Sequence, residues 1–132
     1  MKKTKTILGA VFFAMVILAG CKSTTNNKEA DIAQLLQGKW QHIDDESNFL
    51  VFEGNHRKET AAGTNQWDDE IFVLSDACAN PSDKANGGEP EKNRYISCIE
   101  SDLCWYIIEV DKENLSLSYM GRGNTLTYKR AK

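Results

Sequence analysis

The chain has 132 residues with 16 basic and 19 acidic side chains, a formal charge of −3 at neutral pH. That length suits one domain. The acidic balance, with no basic cluster interleaved with aromatics, argues against nucleic acid and against an anionic membrane face as partners.

The first segment reads as a leader. Lys2, Lys3 and Lys5 precede a continuous apolar run from Ile7 to Leu18. This run is short for a membrane span and suits the central region of a signal peptide. It ends in Leu18-Ala19-Gly20-Cys21, which resembles a bacterial lipobox: leucine, two small residues, then the cysteine that is acylated before cleavage. Residues 1–20 are therefore expected to be removed and residues 21–28 to form a lipidated tether. A domain over 29–132 would follow. Acyl chains such as palmitate on Cys21 would anchor firmly, at about 0.8 kcal/mol per buried methylene. Losing the three leader lysines leaves 13 basic residues against 19 acidic, so the mature chain is more acidic still. The expected location is the bacterial cell envelope. Lys22 is not the aspartate that retains enterobacterial lipoproteins in the inner membrane, which points to the outer membrane in a Gram-negative source.

In the mature chain, Lys22 to Asn27 is polar and unpatterned, as a tether should be. Asn27 is placed to cap a short helix whose apolar residues Ile32, Leu35 and Leu36 share one face, with Gly38 at its C-terminal end. From Trp40 the apolar period becomes two. Strand-like stretches run approximately over 39–44, 48–53, 56–61, 67–75, 94–100, 104–110, 114–120 and 125–130, separated mostly by short turns rich in Gly, Asn and Asp. The third stretch, His56-Arg57-Lys58-Glu59-Thr60, is almost wholly polar. One long loop, from Asp76 to Asn93, is charged, contains Pro81 and Pro90, and looks too polar to pack.

Eight short strands with no helix between them predict an all-β fold, an eight-stranded antiparallel up-and-down barrel behind a short N-terminal helix. Closure removes the open edges and buries the apolar face. Alternation assigns Trp40, Leu50, Phe52, Phe72, Leu74, Tyr106, Ile108, Leu115, Leu117, Tyr119, Leu126 and Tyr128 to the interior. On 94–100 and 104–110 both faces are apolar, since Ile96, Trp105 and Ile107 compete with that assignment.

A helix leading into Gly38-Lys39-Trp40 on the first strand of such a meander resembles the calycins, the lipocalins and their shorter relatives. Leu36 to Phe52 and Leu115 to Arg130 look most like small lipocalin-like lipoproteins of bacteria. The resemblance implies that Gly38, Trp40 and Arg130 close one barrel end, with the guanidinium across the indole. It also implies an interior ligand contacted by Phe52, Phe72, Tyr106, Tyr119 and Tyr128. The chain departs from full-length lipocalins in its shortness, in lacking a helix after the last strand and in lacking their mid-chain Thr-Asp turn motif.

No motif here carries catalysis. His42 and Asp44 lack the third and fourth ligands of a metal site, and Asp44-Asp45-Glu46 and Asp68-Asp69-Glu70 read as solvated strand ends. No serine sits in a glycine-flanked elbow, and Cys98 and Cys104 are not spaced as a redox pair. The expectation is a monomer that is not an enzyme and uses no cofactor. Two functions remain. The barrel holds a small apolar or amphipathic ligand, or it is a scaffold whose loops contact another envelope protein, for instance as an inhibitor of a secreted hydrolase.

Export also places Cys78, Cys98 and Cys104 where disulfides persist. Pairing Cys78 with Cys104 closes a loop of about 26 residues, worth roughly 3.5 kcal/mol against about 2 for Cys98–Cys104. It would also tie down the long loop. We therefore expect Cys78–Cys104 with Cys98 free, and Cys78–Cys98 remains open.

Overall fold

The computed structural model describes residues 31–60, 64–85 and 88–132. The leader, the lipobox and the tether lie outside the described residues. Helix α1 spans Ile32–Leu36 and is capped by Asp31, whose side chain accepts from Ala33 N at 3.0 Å. That corrects the expected cap at Asn27, which also lies outside the described residues. Five residues give too few internal bonds to hold a helix alone. Packing holds this one, through fully buried Leu36 and partly buried Ile32.

Strands β1 (Gly38–His42), β2 (Phe49–Glu53), β3 (His56–Thr60), β4 (Trp67–Ile71) and β5 (Val73–Ser75) come next. After the long loop and its one-turn helix α2 (Pro81–Lys84) come β6 (Tyr95–Cys98), β7 (Leu103–Val110), β8 (Asn114–Tyr119) and β9 (Thr125–Arg130). All pairings are antiparallel between chain neighbours, except that β9 returns to pair with β1 through Trp40↔Arg130 and His42↔Tyr128. The sheet order is β4-β3-β2-β1-β9-β8-β7-β6-β5. The two ends of that list are one residue apart in the chain, so the sheet curls into a nearly closed barrel.

Nine strands replace the expected eight, because the stretch 67–75 changes partner at Phe72. Before it, β4 pairs with β3; after it, β5 pairs with β6. Bending the strand there lets one segment serve both walls of a curled sheet. Inward alternation survives the bend: Phe72 is buried and Leu74 packs against the core.

The core holds Trp40, Leu50, Phe52, Phe72, Ile96, Cys98, Trp105, Ile107, Leu115, Leu117 and Tyr128, with Tyr119 and Leu126 packed against it. Two expected interior residues are not there. On β7 it is Trp105 and Ile107 that point inward, and a bulge between Ile107 and Glu109 leaves Ile108 exposed. Tyr106 packs instead in a second cluster with Cys78, Tyr95, Cys104 and Met120 on the outer surface.

That cluster lies beneath the long loop, which does pack despite its polarity. The Cys78–Cys104 disulfide pins it to β7, with Cα atoms 5.9 Å apart. Ala79 N donates to Ser97 Oγ at 2.9 Å, and Asp102 accepts from Asn80 Nδ2 at 3.0 Å and Ser82 N at 2.9 Å. Asp102 also accepts from the Ser82 hydroxyl, and these bonds hold its carboxyl below the usual carboxylate range.

Candidate functional site

The barrel has one end built as a plug. Gly38 starts β1 with φ at +113°, and a Cβ there would stand 2.8 Å from Arg130 Nη1, so only glycine lets the arginine through. Arg130 lies over the Trp40 ring, its guanidinium carbon 3.7 Å from the centroid. Its Nη1 donates to Gln37 O at 2.5 Å, Nη2 to Leu35 O at 2.9 Å and Nε to Lys112 O at 3.0 Å. Trp40 Nε1 donates to Leu36 O at 2.8 Å. These contacts satisfy the carbonyls that α1 leaves open at its C-terminus and place positive charge where the helix dipole favours it.

The interior is filled with aromatics and one buried arginine held by two partly exposed glutamates. Phe52 and Phe72 meet edge to face at 5.3 Å, and Tyr119 packs on Trp105 at 5.9 Å. Tyr128 is buried and takes His42 against its ring at 5.2 Å. Among the residues expected to face a ligand, Phe52, Phe72, Tyr119 and Tyr128 belong to this packing. Tyr106 is outside it, and its hydroxyl donates to Glu91 Oε2 at 2.7 Å.

Between those aromatics lies Arg57, only 4% exposed. Its guanidinium carbon stands 4.0 Å from the centroid of the Trp105 ring, Nη2 donates to Glu59 Oε2 at 2.8 Å, and Nη1 is 3.6 Å from Glu70 Oε1. The register explains the placement. Arg57 lies opposite Phe52 and Glu59 opposite Leu50, so the hairpin turns both charges inward, and Glu70 follows as the β4 partner of Arg57. Glu70 is thus not a solvated strand end. Asp68 and Asp69 are exposed, Asp69 within 2.8 Å of the His56 ring.

Sequence reasoning passed over Arg57 and Glu59 because β3 is almost wholly polar, and it read Glu70 as part of a solvated strand end. The signal was nevertheless present. A turn at Gly54-Asn55 sets Arg57 and Glu59 across from two residues already assigned inward, and a charge in that position must be paired.

Cys98 is free and buried beside this cluster. Burial is the main cause of its thiol being pushed up to about 12, with Glu70 and Glu59 adding to the rise and Arg57 opposing it. Tyr128 is likewise pushed to about 12, by burial first and then by Glu59. A thiol so raised is not a nucleophile at neutral pH. The arrangement is one cation between two carboxylates, with Arg57 Nε lacking a partner among the described residues.

A pH effect follows. The Cys98 thiol stays protonated in the fold but ionises near its ordinary 9.0 when unfolded. Its contribution is therefore complete below pH 9.0 and is lost as pH rises towards 12. Tyr128 acts the same way from 10.0 upward. Cys98→Ala should flatten the alkaline arm of a melting-temperature profile, and an arm identical to wild type would refute the linkage.

His42 and Asp44 form a local turn, Asp44 N donating to His42 Nδ1 at 3.1 Å. Among the described residues, no group of three or more His, Cys, Asp or Glu is placed to hold a metal ion. Surface grooves are present among the described residues. One of about 520 Å³ is lined by Lys112, Lys129 and Arg130 among others, and one of about 330 Å³ by Glu91, Tyr95, Tyr106 and Met120 among others. The all-β, nearly closed barrel is compatible with a calycin-like fold. No family model, no curated protein and no solved structure matches the chain.

Proposed function

We propose that the protein is a lipoprotein of the bacterial cell envelope, acylated on Cys21, whose barrel is a non-catalytic scaffold that meets another envelope protein through its outer surface. The observation that carries the scaffold reading is the occupied interior. Trp40, Phe52, Trp105 and Tyr128 are buried there, and Arg57 with its two glutamates takes up room a lipophilic ligand would need. A barrel of about this size has an interior just wide enough to be filled by side chains or to hold one small ligand. The anchoring reading rests on the sequence Leu18-Ala19-Gly20-Cys21.

The second reading, a small apolar or amphipathic ligand inside the barrel, is favoured by the barrel shape and by Arg57 Nε, a buried donor without a partner among the described residues. Native mass spectrometry of the purified mature protein separates the two. We expect the bare chain or a protein adduct, and a retained small lipophile would overturn the scaffold reading. For the anchor, Cys21→Ser should abolish palmitate labelling and release the protein from membrane fractions. A mutant that still labels, or a mature N-terminus other than Cys21, refutes lipidation.

A further inference from the structure

We infer that the outer edge of β4 is a docking site for an extended peptide segment of a partner, apolar at its ends and basic in its middle. This deepens the scaffold reading and rests on it. β4 ends the sheet order, and its one strand neighbour is β3. Phe72 N donates to Asn55 O at 2.9 Å, so the residues of the same parity, Asp68 and Glu70, turn their backbone groups to β3. Trp67, Asp69 and Ile71 turn theirs to the other side, where no backbone bond to them is formed among the described residues. Across from that edge the β5–β6 ladder stops at Val73↔Ser97. Continued by register, it would set Ile71 beside Ile99, and instead the wall opens there.

The side chains at the opening are unusual for a solvated edge. Trp67 is 44% exposed, Ile71 48%, Val73 44% and Ile99 46%. Between Trp67 and Ile71 lie the exposed Asp68 and Asp69, while Glu70 is turned inward to Arg57, and Glu100 is exposed across the gap. A strand added to β4 would gain main-chain bonds to three residues. Its side chains would complement the exposed ones of β4: apolar against Trp67, basic against Asp68 and Asp69, apolar against Ile71. A second copy of this chain is a poor occupant. Antiparallel pairing of β4 with itself would bring the exposed aspartates of both copies together, and like charges directly opposed are destabilising.

The test uses the mature protein and a heptapeptide with two lysines or arginines and one serine between two valines and capped by threonines. Binding is followed by amide chemical shifts and calorimetry. We expect shifts concentrated at Trp67, Asp69 and Ile71. Affinity should fall with salt and disappear when alternate peptide nitrogens are methylated, a change that leaves the protein untouched. Asp69→Lys, an exposed substitution, should weaken binding about tenfold, which corresponds to about 1.4 kcal/mol. No binding at millimolar peptide, equal binding of the methylated or an acidic peptide, or self-association through this edge in sedimentation would each overturn the inference. Shifts around Glu91 and Tyr106 would overturn it too, while leaving the broader partner-binding reading in place. A small lipophile retained in native mass spectra would instead overturn that broader reading.

Discussion

Trp40→Ala should destabilise the protein by about 3–5 kcal/mol, the range for truncating a large, fully buried aromatic. The side chain is 0% exposed, and three separate losses meet at this position. Its ring volume leaves a cavity between Leu36 and the β1–β9 seam. Its Nε1 bond to Leu36 O is lost at the end of a helix that cannot stand alone. The Arg130 guanidinium, stacked 3.7 Å from the ring centroid, is left over a void. Arg130→Ala should cost less. The carbonyls of Leu35, Gln37 and Lys112 lie near enough to the surface to turn to water, and Trp40 would still fill the end of the barrel. Denaturant unfolding with an unchanged m-value checks both. A Trp40→Ala protein as stable as wild type would leave the plug without energetic weight.

Where sequence and structure part, the reasons are physical. The alternation of Trp40, Leu50, Phe52, Leu115, Leu117 and Tyr128 was enough to identify a curled antiparallel sheet, because a half-buried strand must alternate. The Cys78–Cys104 pairing was legible from chain entropy. The division at Phe72 was not, since the alternation passes through the bend without a break and only the change of partner reveals it. On β7 both faces are apolar for different reasons: Trp105 and Ile107 enter the core, while Cys104 and Tyr106 lie under the loop. Periodicity alone cannot rank two buried faces. The buried Arg57 cluster was missed for the opposite reason. Polarity alone suggests exposure, whereas Glu59, Glu70 and the Trp105 face together offset much of the cost of burying one guanidinium. The apolar side chains at the β4 edge have no signature in a strand that otherwise reads as acidic and solvated. Their meaning depends on which edges the fold leaves unpaired.

Replacing both Cys78 and Cys104 by alanine should lower stability by about 3.5 kcal/mol, from the entropy restored to the unfolded chain by opening the 26-residue loop. The native state sets how that loss is distributed. The long loop has holds besides the disulfide: Asp102 binds Asn80 and Ser82, Ser97 binds Ala79, and Asp76 Oδ1 accepts from Asn93 N at 3.0 Å. The variant should therefore keep its barrel while the loop gains mobility. Amide exchange should speed up most around Cys78 to Lys84 and least at Leu50, Leu115 and Leu117, whose packing does not involve the outer cluster. Cys98 is the internal control. Its thiol is fully buried on the inward face of β6, so it should stay unreactive to alkylating agents in the folded variant and react on unfolding. Rapid labelling of Cys98 under native conditions would mean that the disulfide supports the barrel wall itself, and the loop-entropy account would fail.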